Sequence, residues 1–398
     1  MRSRLIYFLK HNPVMQNLIL KTGGLFLRLL GRFVKTEDNL VLLCDNSGKV
    51  YEGDSAKVLF DAMRLDPTFA EHRYIWAFVE PETIQIEGAE KVKIDTFSYF
   101  LCALRAKIWI TNTNIERGMR FKKSDQIYLN TWHGTGPKAF GNTGKRKYYH
   151  FEDIDILCCD GKYQRDAMVN YYGARDENII YSGRPREDEL YEITPEKVRK
   201  IKELLDIPLE KCIILYAPTW RDSKDGGKSY PIAPPITVKK WEKALGSNYL
   251  VLFRSHVVST ITENLEFGSL FKDVSTYPRI NHLYAIADIL ITDYSSTMFD
   301  FALLNKPILC FAYDYDTFHE ETHLLFDLEK EMPSGVIKQE DALLQYILSM
   351  DFDGECIKTE SFKEKFINRG NDATMLCMEA IKKKLAYPQY NFSKAEKL

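Results

Sequence analysis

The chain has 398 residues, 45% of them hydrophobic, and a formal net charge of −2. This length predicts two or three domains with substantial cores. The near-neutral charge excludes a global attraction to nucleic acid or membrane, so any basic surface must be local. The eight cysteines are scattered, without a CxxC pair or a Cys/His cluster. This pattern is typical of reduced thiols in a cytoplasmic protein and argues against a disulfide framework or a zinc site.

Residues 1–36 break this neutrality, because their first 35 positions contain seven Lys or Arg side chains and no acid. The longest uncharged run, 11–20, has ten residues, whereas a membrane span needs about 20. Recurrent basic residues and the lack of a small-residue cleavage site argue against a signal peptide. Asn12-Pro13 is typical of a helix start. We predict one or two basic amphipathic helices lying on an anionic membrane surface; the alternative is helices packed on the domain with their basic side chains in solvent.

Residues 37–190 alternate short apolar runs with segments of helical period, such as 56–65 and 99–106. Near-continuous apolar strands between helices predict a parallel sheet covered on both faces. The predicted strands are 40–44, 73–79, 107–112, 126–131, 155–159 and 178–183.

A charged helical connector at 188–208 precedes a second α/β half, which we assign to 191–345, and helices and a tail follow at 346–398. The predicted strands of the second half are 212–218, 248–256, 270–275, 287–293 and 307–313. The fold class is therefore α/β, with two doubly wound Rossmann-type domains that we expect to face a cleft.

Ligands of open α/β sheets bind outside the carboxyl ends of the strands, and "TWHGTGPK" follows such an end. His133 has a side chain suited to a general base near neutral pH. Gly134 and Gly136 allow a sharp bend or close approach to a ligand, and Thr135 adds a hydroxyl. The alternative, equally compatible with these residues, is a capped turn with a satisfied histidine.

Two further strand ends carry cations. "YAPTWRD" places Arg221 after Pro218-Thr219, where it is either a phosphate ligand or a surface charge. "FRSH" places Arg254 and His256 two residues apart, so that both point to one side of an extended segment.

The stretch "ITDYSSTMFDFALLNKP" ends a strand and opens a helix at Ser295-Ser296. A helix N-terminus is an anion site, although serine is also an ordinary N-cap. Asp300 lies one turn later, where it either caps the helix or reaches a ligand hydroxyl. Arg186, in "SGRPRED", either reaches the ligand or pairs with neighbouring acids. Asp314 and Asp316 form a DxD-like pair without further ligand groups nearby, so no metal site is predicted.

Together, "TWHGTGPK", "YSGRPREDEL", "ILYAPTWRD", "FRSH" and "ADILITDYSSTMFDFALLNKPILCFAYD" resemble the CDP-glycerol glycerophosphotransferase family of teichoic acid synthesis, from about residue 45 to residue 326. The resemblance implies a GT-B-type architecture, peripheral attachment at the cytoplasmic face of the membrane, and transfer of glycerol phosphate from CDP-glycerol with release of CMP. The implied acceptor is a hydroxyl of an undecaprenyl-diphosphate-linked saccharide or of a growing polymer. No tightly bound cofactor is implied, and a divalent cation requirement stays open.

The resemblance also assigns roles to residues. It implies that His133 is the catalytic base and His256 a second essential histidine near the phosphates. To these we add Arg221, from its charge and position alone. The residues that fall where the family binds its donor are Trp132, Gly134, Thr135, Gly136, Arg186, Pro218, Thr219, Arg254, Ser295, Ser296 and Asp300.

The motifs of this chain depart from the family pattern at two places. Gly136-Pro137 stands where the family often has Pro-Leu, and no proline follows His256. The alternatives are a ribitol-phosphate transferase using CDP-ribitol, a GT-B glycosyltransferase using a nucleotide sugar, and a catalytically silent membrane-bound assembly partner.

Overall fold

A computed structural model describes residues 12–137, 150–219, 221, 231–232, 234–255, 260–261, 268–321 and 324–393. The described residues form two compact units. The first contains those of 12–133, 150–188 and 369–393, and the second contains 134–137 and those of 189–368.

The first unit is built on a seven-stranded sheet in which every strand pairs in parallel with its neighbours. Its order, β3-β2-β1-β4-β5-β6-β7, is the Rossmann order extended by one strand. The strands are β1 (Glu37–Cys44), β2 (Arg73–Phe78), β3 (Glu90–Lys93), β4 (Ala106–Thr111), β5 (Ile127–Asn130), β6 (Ile156–Cys158) and β7 (Ile179–Ile180).

Side chains of β1 alternate between two cores, one on each face of this sheet. Leu40 and Leu42 belong to one buried cluster, and Val41 and Leu43 belong to the other. This period of two explains why the strand is apolar at every inner position. The helices that cover the sheet are α1 (Pro13–Gly31), α2 (Ser55–Leu65), α3 (Phe97–Arg105) and α4 (Lys162–Tyr172).

Helix α1 begins as the sequence predicts, with Asn12 as N-cap accepting from the Met15 N–H at 3.2 Å. It lies very close to the loop that follows β4. A Cβ atom on Gly24 would stand 2.7 Å from the backbone oxygen of Met119, and one on Gly31 would stand 3.1 Å from Leu104. These glycines therefore permit the close approach of the helix. Within the described part of the chain, no helix is long and apolar enough to cross a membrane.

The second unit is built on a six-stranded parallel sheet of order β12-β10-β8-β13-β14-β15, with a separate two-stranded sheet of β9 and β11. Its strands are β8 (Cys212–Tyr216), β9 (Pro231–Ile232), β10 (Tyr249–Phe253), β11 (Thr260–Ile261), β12 (Phe271–Asp273), β13 (Ile289–Thr292), β14 (Ile308–Phe311) and β15 (Val336–Ile337). Its helices are α5 (Pro195–Leu204), α6 (Val238–Leu245), α7 (Ile280–Ile286), α8 (Thr297–Ala302), α9 (Tyr315–Glu321), α10 (Leu328–Glu331), α11 (Glu340–Ser349) and α12 (Phe352–Phe366).

The chain returns to the first unit through a final helix, α13 (Ala373–Ala386), whose Cys377 and Ile381 are fully buried in its core. The Cys377 sulfur lies 3.4 Å from that of Cys158, and all eight cysteines are unpaired thiols. The two α/β halves that the sequence predicts are thus confirmed as two parallel-sheet units. Both strands that it misses in the main sheets, β3 and β15, are short edge strands.

A buried ionic cluster lies where the chain leaves the first unit and where it returns. Arg184 donates to Asp160 at 2.7 Å and to Glu187 at 2.5 Å. Arg369 donates to the same two carboxylates, to Asp160 at 3.1 Å. All four side chains are at most 1% exposed. Both crossing segments are therefore fixed on the first unit by the same charges.

Candidate active site

The turn after β5 holds the predicted histidine in a backbone conformation that the flanking residues enforce. Trp132 has a positive φ of 54°, which is uncommon for a bulky residue. Its N–H donates to the side chain of Asn130 at 2.8 Å, and Asn130 in turn donates to the carbonyl of Thr113 at 2.7 Å. The Trp132 ring is buried and lies 4.0 Å from that of His133, centroid to centroid. The strained residue therefore fixes where His133 leaves the sheet.

One nitrogen of His133 is already committed. Nδ1 lies 3.0 Å from the carbonyl oxygen of Asn112, which can only accept a hydrogen bond. The proton of a neutral ring is thus on Nδ1, and Nε2 retains the lone pair. His133 lines a cavity and is exposed to solvent. Desolvation of the ring nevertheless lowers the pKa of His133, and the charge of Arg186 acts in the same direction. A neutral ring with its proton on Nδ1 can accept a proton at Nε2.

Asp54 is the hub that connects this histidine to the loops around it. Its Oδ1 accepts from the Ser55 N–H at the start of α2 at 2.8 Å and from Arg186 at 3.3 Å. Its Oδ2 accepts from the side chains of Asn46 and Asn112, each at 2.8 Å. Asn112 is the residue whose carbonyl fixes the histidine ring. The donors thus come from the loops after β1, β4 and β7 and from the helix that Asp54 caps.

Arg186 connects the same hub to the histidine backbone. Its second terminal nitrogen donates to the carbonyl of His133 at 3.1 Å, and its side chain is 9% exposed. The structure therefore brings two sequence-predicted residues, His133 and Arg186, together within the first unit. From the sequence, Arg186 either reaches the ligand or pairs with neighbouring acids. It pairs with the distant Asp54 at 3.3 Å and lies 3.9 Å from the neighbouring Glu187.

A second carboxyl group, that of Asp45, lies beside Asp54 and is fully buried. Its Oδ2 accepts from the Ala56 N–H at 2.9 Å, and its Oδ1 has no hydrogen-bond partner among the described residues. Burial, together with the charge of Asp54, raises the pKa of Asp45 well above its usual range. Asp45 is therefore driven toward its neutral form, while Asp54 forms the ion pair with Arg186.

The sequence argument did not single out Asp45, Asp54 or Asn112. Asp45 follows β1 and Asn112 follows β4 directly, so the rule that drew attention to His133 would have found both. Asp54 immediately precedes α2 and has the side chain of an N-cap. None of the three belongs to a recognisable motif, because each is a single polar residue at the end of a strand or the start of a helix.

In the second unit, Arg221 is held by two carboxylates. It donates to Asp293 at 2.9 Å and to Asp314 at 2.6 and 3.0 Å, and its remaining terminal nitrogen donates to the carbonyl of Thr219 at 2.6 Å. The guanidinium also lies about 5 Å from the rings of Tyr294 and Tyr313. This environment indicates that Arg221 joins the ends of β8, β13 and β14.

Arg254, at the end of β10, has a different environment. Its side chain donates to the carbonyls of Val274 and Tyr277 at 3.2 and 2.7 Å, and it forms no ion pair with any described residue. Burial lowers the pKa of Arg254. A largely desolvated cation without a counter-ion is a suitable site for an anionic ligand.

The serines before α8 lie on the same unit. Ser295 accepts from the Thr297 N–H at 3.3 Å, whereas the Ser296 side chain makes no capping bond. A Cβ atom on Gly134 would stand 2.5 Å from the Ser296 hydroxyl, so this position requires glycine, whereas one on Gly136 would meet nothing within 4 Å. Close packing thus explains the first glycine of the motif and leaves the second without a steric reason.

Comparison with known proteins assigns this arrangement to a family. The model of the CDP-glycerol:poly(glycerophosphate) glycerophosphotransferase family matches residues 26–373. The chain belongs to this family. The resemblance that the sequence motifs carry is therefore confirmed.

Relatives and solved structures agree with this assignment. The chain is 31% identical over 372 residues to a teichoic acid glycerol-phosphate transferase of Staphylococcus aureus, covering 86% of this chain and 93% of the relative. It is 28% identical to a teichoic acid poly(glycerol phosphate) polymerase of Bacillus subtilis over 87% of this chain, but spans only 48% of that polymerase. The structure of the wall teichoic acid polymerase TagF matches with a TM-score of 0.79 at 26% identity, covering 97% of this chain and 98% of the other. The GT-B-like fold class is thus confirmed.

The remaining residues that the family resemblance assigns to the donor stay predictions. Thr135 and Asp300 are buried, and the Thr219 N–H donates to Asp293 at 2.8 Å while its hydroxyl has no partner among the described residues. Pro218 lies two residues beyond the end of β8, near the strand end as expected. The predicted second histidine, His256, lies outside the described residues.

Asp314 and Asp316, the DxD-like pair, each contact a cation, Arg221 and Lys338 respectively. Within the ranges that the structure describes, no cluster of three or more His, Cys, Asp or Glu side chains is arranged to hold a metal ion.

The two neighbouring carboxyl groups of the first unit should respond to amidation to different extents. Asp54→Asn removes the charge that pairs with Arg186 and points an NH₂ group at other donors, so we expect a loss of about 3 kcal/mol of stability, or roughly 6–12 °C in Tm for a unit of this size. Asp45→Asn replaces a carboxyl whose pKa burial raises by a neutral group of equal size, so we expect Tm to change by less than roughly 2 °C. Calorimetry of both variants at pH 7 makes the comparison, and a greater loss for Asp45→Asn would contradict the view that Asp45 is driven toward its neutral form.

Proposed function

We propose that this protein transfers glycerol phosphate from CDP-glycerol to a hydroxyl of a lipid-linked saccharide or polyol-phosphate acceptor and releases CMP, in teichoic acid or related cell-wall polymer synthesis. Family membership supports the donor and the reaction, and TagF, a solved member, has been soaked with CDPG. The observation that carries the mechanism is the committed Nδ1 of His133, which leaves Nε2 as a base.

The reaction forms one P–O bond and breaks another. The acceptor hydroxyl gives its proton to Nε2 of His133 as its oxygen attacks the phosphorus that carries glycerol. The bond from that phosphorus to the CMP oxygen breaks, and CMP leaves with the electron pair. Such transfers depend on positioning and on compensation of charge more than on covalent catalysis. His133 is the proposed base, and Arg254 is a cation without an ion-pair partner among the described residues.

We expect the pH dependence to report the state of His133. Only the neutral ring accepts a proton, so kcat/KM for acceptor-dependent CMP release should fall as pH drops through its pKa. Because this pKa is lowered, the midpoint of the acid limb should lie below the ordinary value of 6.5. His133→Ala should lose about 10²–10⁴-fold in kcat/KM. CMP release is measured with CDP-glycerol, CDP-ribitol and UDP-sugars, each with and without a lipid-linked disaccharide.

The other candidate functions make different predictions in this assay. Preference for CDP-ribitol would indicate a ribitol-phosphate transferase, and turnover of a UDP-sugar alone would indicate a glycosyltransferase. Equal turnover by wild type and His133→Ala would refute the base assignment. Absence of CMP release from every donor would favour an assembly partner without catalysis.

Substitutions of Arg254 and Arg221 provide a matched pair of variants that tests binding of the donor. Arg254→Gln should raise KM for CDP-glycerol by about 10–100-fold, the range expected for a lost charged hydrogen bond, with little change in Tm. Arg221→Gln should lower Tm by several degrees, because Asp293 and Asp314 lose their common partner. Initial rates against CDP-glycerol concentration and calorimetry measure both. An unchanged donor KM in Arg254→Gln would show that Arg254 does not bind the donor.

We also propose peripheral attachment at the cytoplasmic face of an anionic membrane through α1. Its inner face packs on the first unit, while its outer face is apolar and is flanked by Lys21, Arg28 and Arg32. The eight unpaired thiols agree with a reducing compartment. The exposed large apolar side chains of the helix and of the turn after it are Val14, Met15, Leu18, Ile19, Leu25, Phe26, Leu29 and Phe33.

Removal of aromatic side chains from this face should release the protein from vesicles. We expect Phe26→Ser with Phe33→Ser to reduce sedimentation with phosphatidylglycerol-containing liposomes at least tenfold, because both rings are more than half exposed. The control is Leu204→Ser with Ile357→Ser, two equally exposed apolar residues of the second unit. Equal loss of binding in the control, or none in the α1 variant, would remove α1 as the anchor.

A further inference from the structure

Beside His133, the first unit contains a cavity of about 480 Å³. Among the described residues that line it, only Trp132 is also assigned to the donor. This volume is within the range of roughly 300–1,000 Å³ that is typical of small-molecule sites. Helix α1 contributes Gln16 and Leu20 to its wall, and the loop after β4 contributes Asn114 and Arg117. The proposed base therefore lies at the edge of a cavity with its own polar groups.

The charge of Arg117 is compensated within the cavity wall. The guanidinium donates to both carboxylate oxygens of Asp95, at 2.7 and 3.1 Å, and to the Ser47 hydroxyl at 3.0 Å. A guanidinium has five N–H groups, so two remain without a partner among the described residues. The charge of Arg117, unlike that of Arg254, is balanced by a carboxylate, but the side chain still offers hydrogen-bond donors. Such a group suits a neutral oxygen of a ligand better than a phosphate.

Asn114 provides the complementary group. Its Oδ1 is buried and has no hydrogen-bond partner among the described residues. A buried acceptor without a partner costs about 1–3 kcal/mol. A ligand hydroxyl in the cavity would recover this cost by donating a hydrogen bond after a rotation of the Asn114 amide brings Oδ1 to the cavity surface. A phosphate oxygen at neutral pH only accepts hydrogen bonds. A hydroxyl group donates to Asn114 and also accepts from Arg117, so adjacent hydroxyls match both side chains.

We propose that this cavity is the acceptor subsite and that it binds the hydroxyl-bearing terminal unit, a polyol or saccharide, through Asn114 and Arg117. The unit's attacking hydroxyl then lies next to His133, which takes its proton in the transfer described above. Because Gln16 and Leu20 come from the proposed membrane helix, a lipid-linked acceptor would reach the cavity along α1. The inference rests on the proposed function for the identity of the acceptor.

The test measures acceptor binding in the absence of donor, by titration calorimetry with a short-chain alkyl diphosphate disaccharide, with and without a terminal glycerol phosphate. Asn114→Leu removes the unpartnered oxygen at nearly constant volume, so we expect affinity for the acceptor to fall at least tenfold. Arg117→Lys, which keeps the charge but loses the planar donor pair, should also weaken binding. CDP-glycerol should bind both variants as it binds the wild type.

Stability separates ligand recognition from a structural role. Replacing a buried, unpartnered oxygen by an apolar group should leave Tm unchanged or raise it, whereas loss of a structural hydrogen bond would lower it. The control is Asn39→Ala, an exposed asparagine on β1 of the same unit, which should retain wild-type affinity.

Three outcomes would decide the matter. Acceptor affinity of Asn114→Leu within twofold of the wild type would overturn the assignment of the cavity. Failure of the wild type to bind either acceptor probe would also overturn it. Acceptor binding that depends on Asn114, without CMP release from CDP-glycerol, would instead support the subsite and reject the proposed reaction, so the two ideas fail separately.

Discussion

The carboxylate of Asp54 is the interaction on which the first unit's site depends. It caps α2, holds Asn46 and Asn112 and pairs with Arg186, so one side chain joins loops that follow three strands of the sheet. The tautomer of His133 follows from this arrangement, because the Asn112 whose carbonyl fixes the ring is itself held by Asp54. Four donors thus converge on this one carboxylate. Its neighbour Asp45 accepts a hydrogen bond from the Ala56 N–H and has one oxygen without a partner among the described residues, and burial raises its pKa. Two identical groups thus have very different surroundings.

The buried cluster of Asp160, Arg184, Glu187 and Arg369 imposes a second constraint. Desolvation makes such clusters costly, and well-packed apolar residues would often be as stable. What the charges add is position, since the two arginines share the same two carboxylates from segments far apart in sequence. Gly183 belongs to this arrangement, because a Cβ atom there would stand 1.9 Å from the Arg369 side chain. The chain therefore leaves the first unit and returns to it at points that these hydrogen bonds fix. Helix α13 packs into the core of that unit directly afterwards.

The sequence was sufficient for features that repeat along the chain and insufficient for those that depend on distant partners. Apolar runs predicted the central strands, and the strand-end rule selected His133 and Arg254, but the polar edge strand Glu90–Lys93 has no such signal. The sequence left Arg221 open between a phosphate ligand and a surface charge, because its partners Asp293 and Asp314 lie 72 and 93 positions away. Asn114 could not be selected at all, since its unpartnered oxygen is a property of the folded cavity. The motifs identified the family, whereas the hydrogen-bond partners of His133 and the cavity beside it are properties of the folded chain.

Helix α1 relates the two proposals for the first unit. Gly24 lets its backbone lie against the Met119 carbonyl, so the helix packs closely on the unit. One side of it contributes Gln16 and Leu20 to the cavity, and another presents the apolar side chains that we propose to enter the membrane surface. An α-helix with its side chains is about 10–12 Å across, so the cavity wall and the proposed membrane face are held at about that separation. The depth at which the helix lies in the lipid surface would then set the height at which an acceptor hydroxyl meets His133, and a lipid-linked acceptor would reach the base without leaving its membrane.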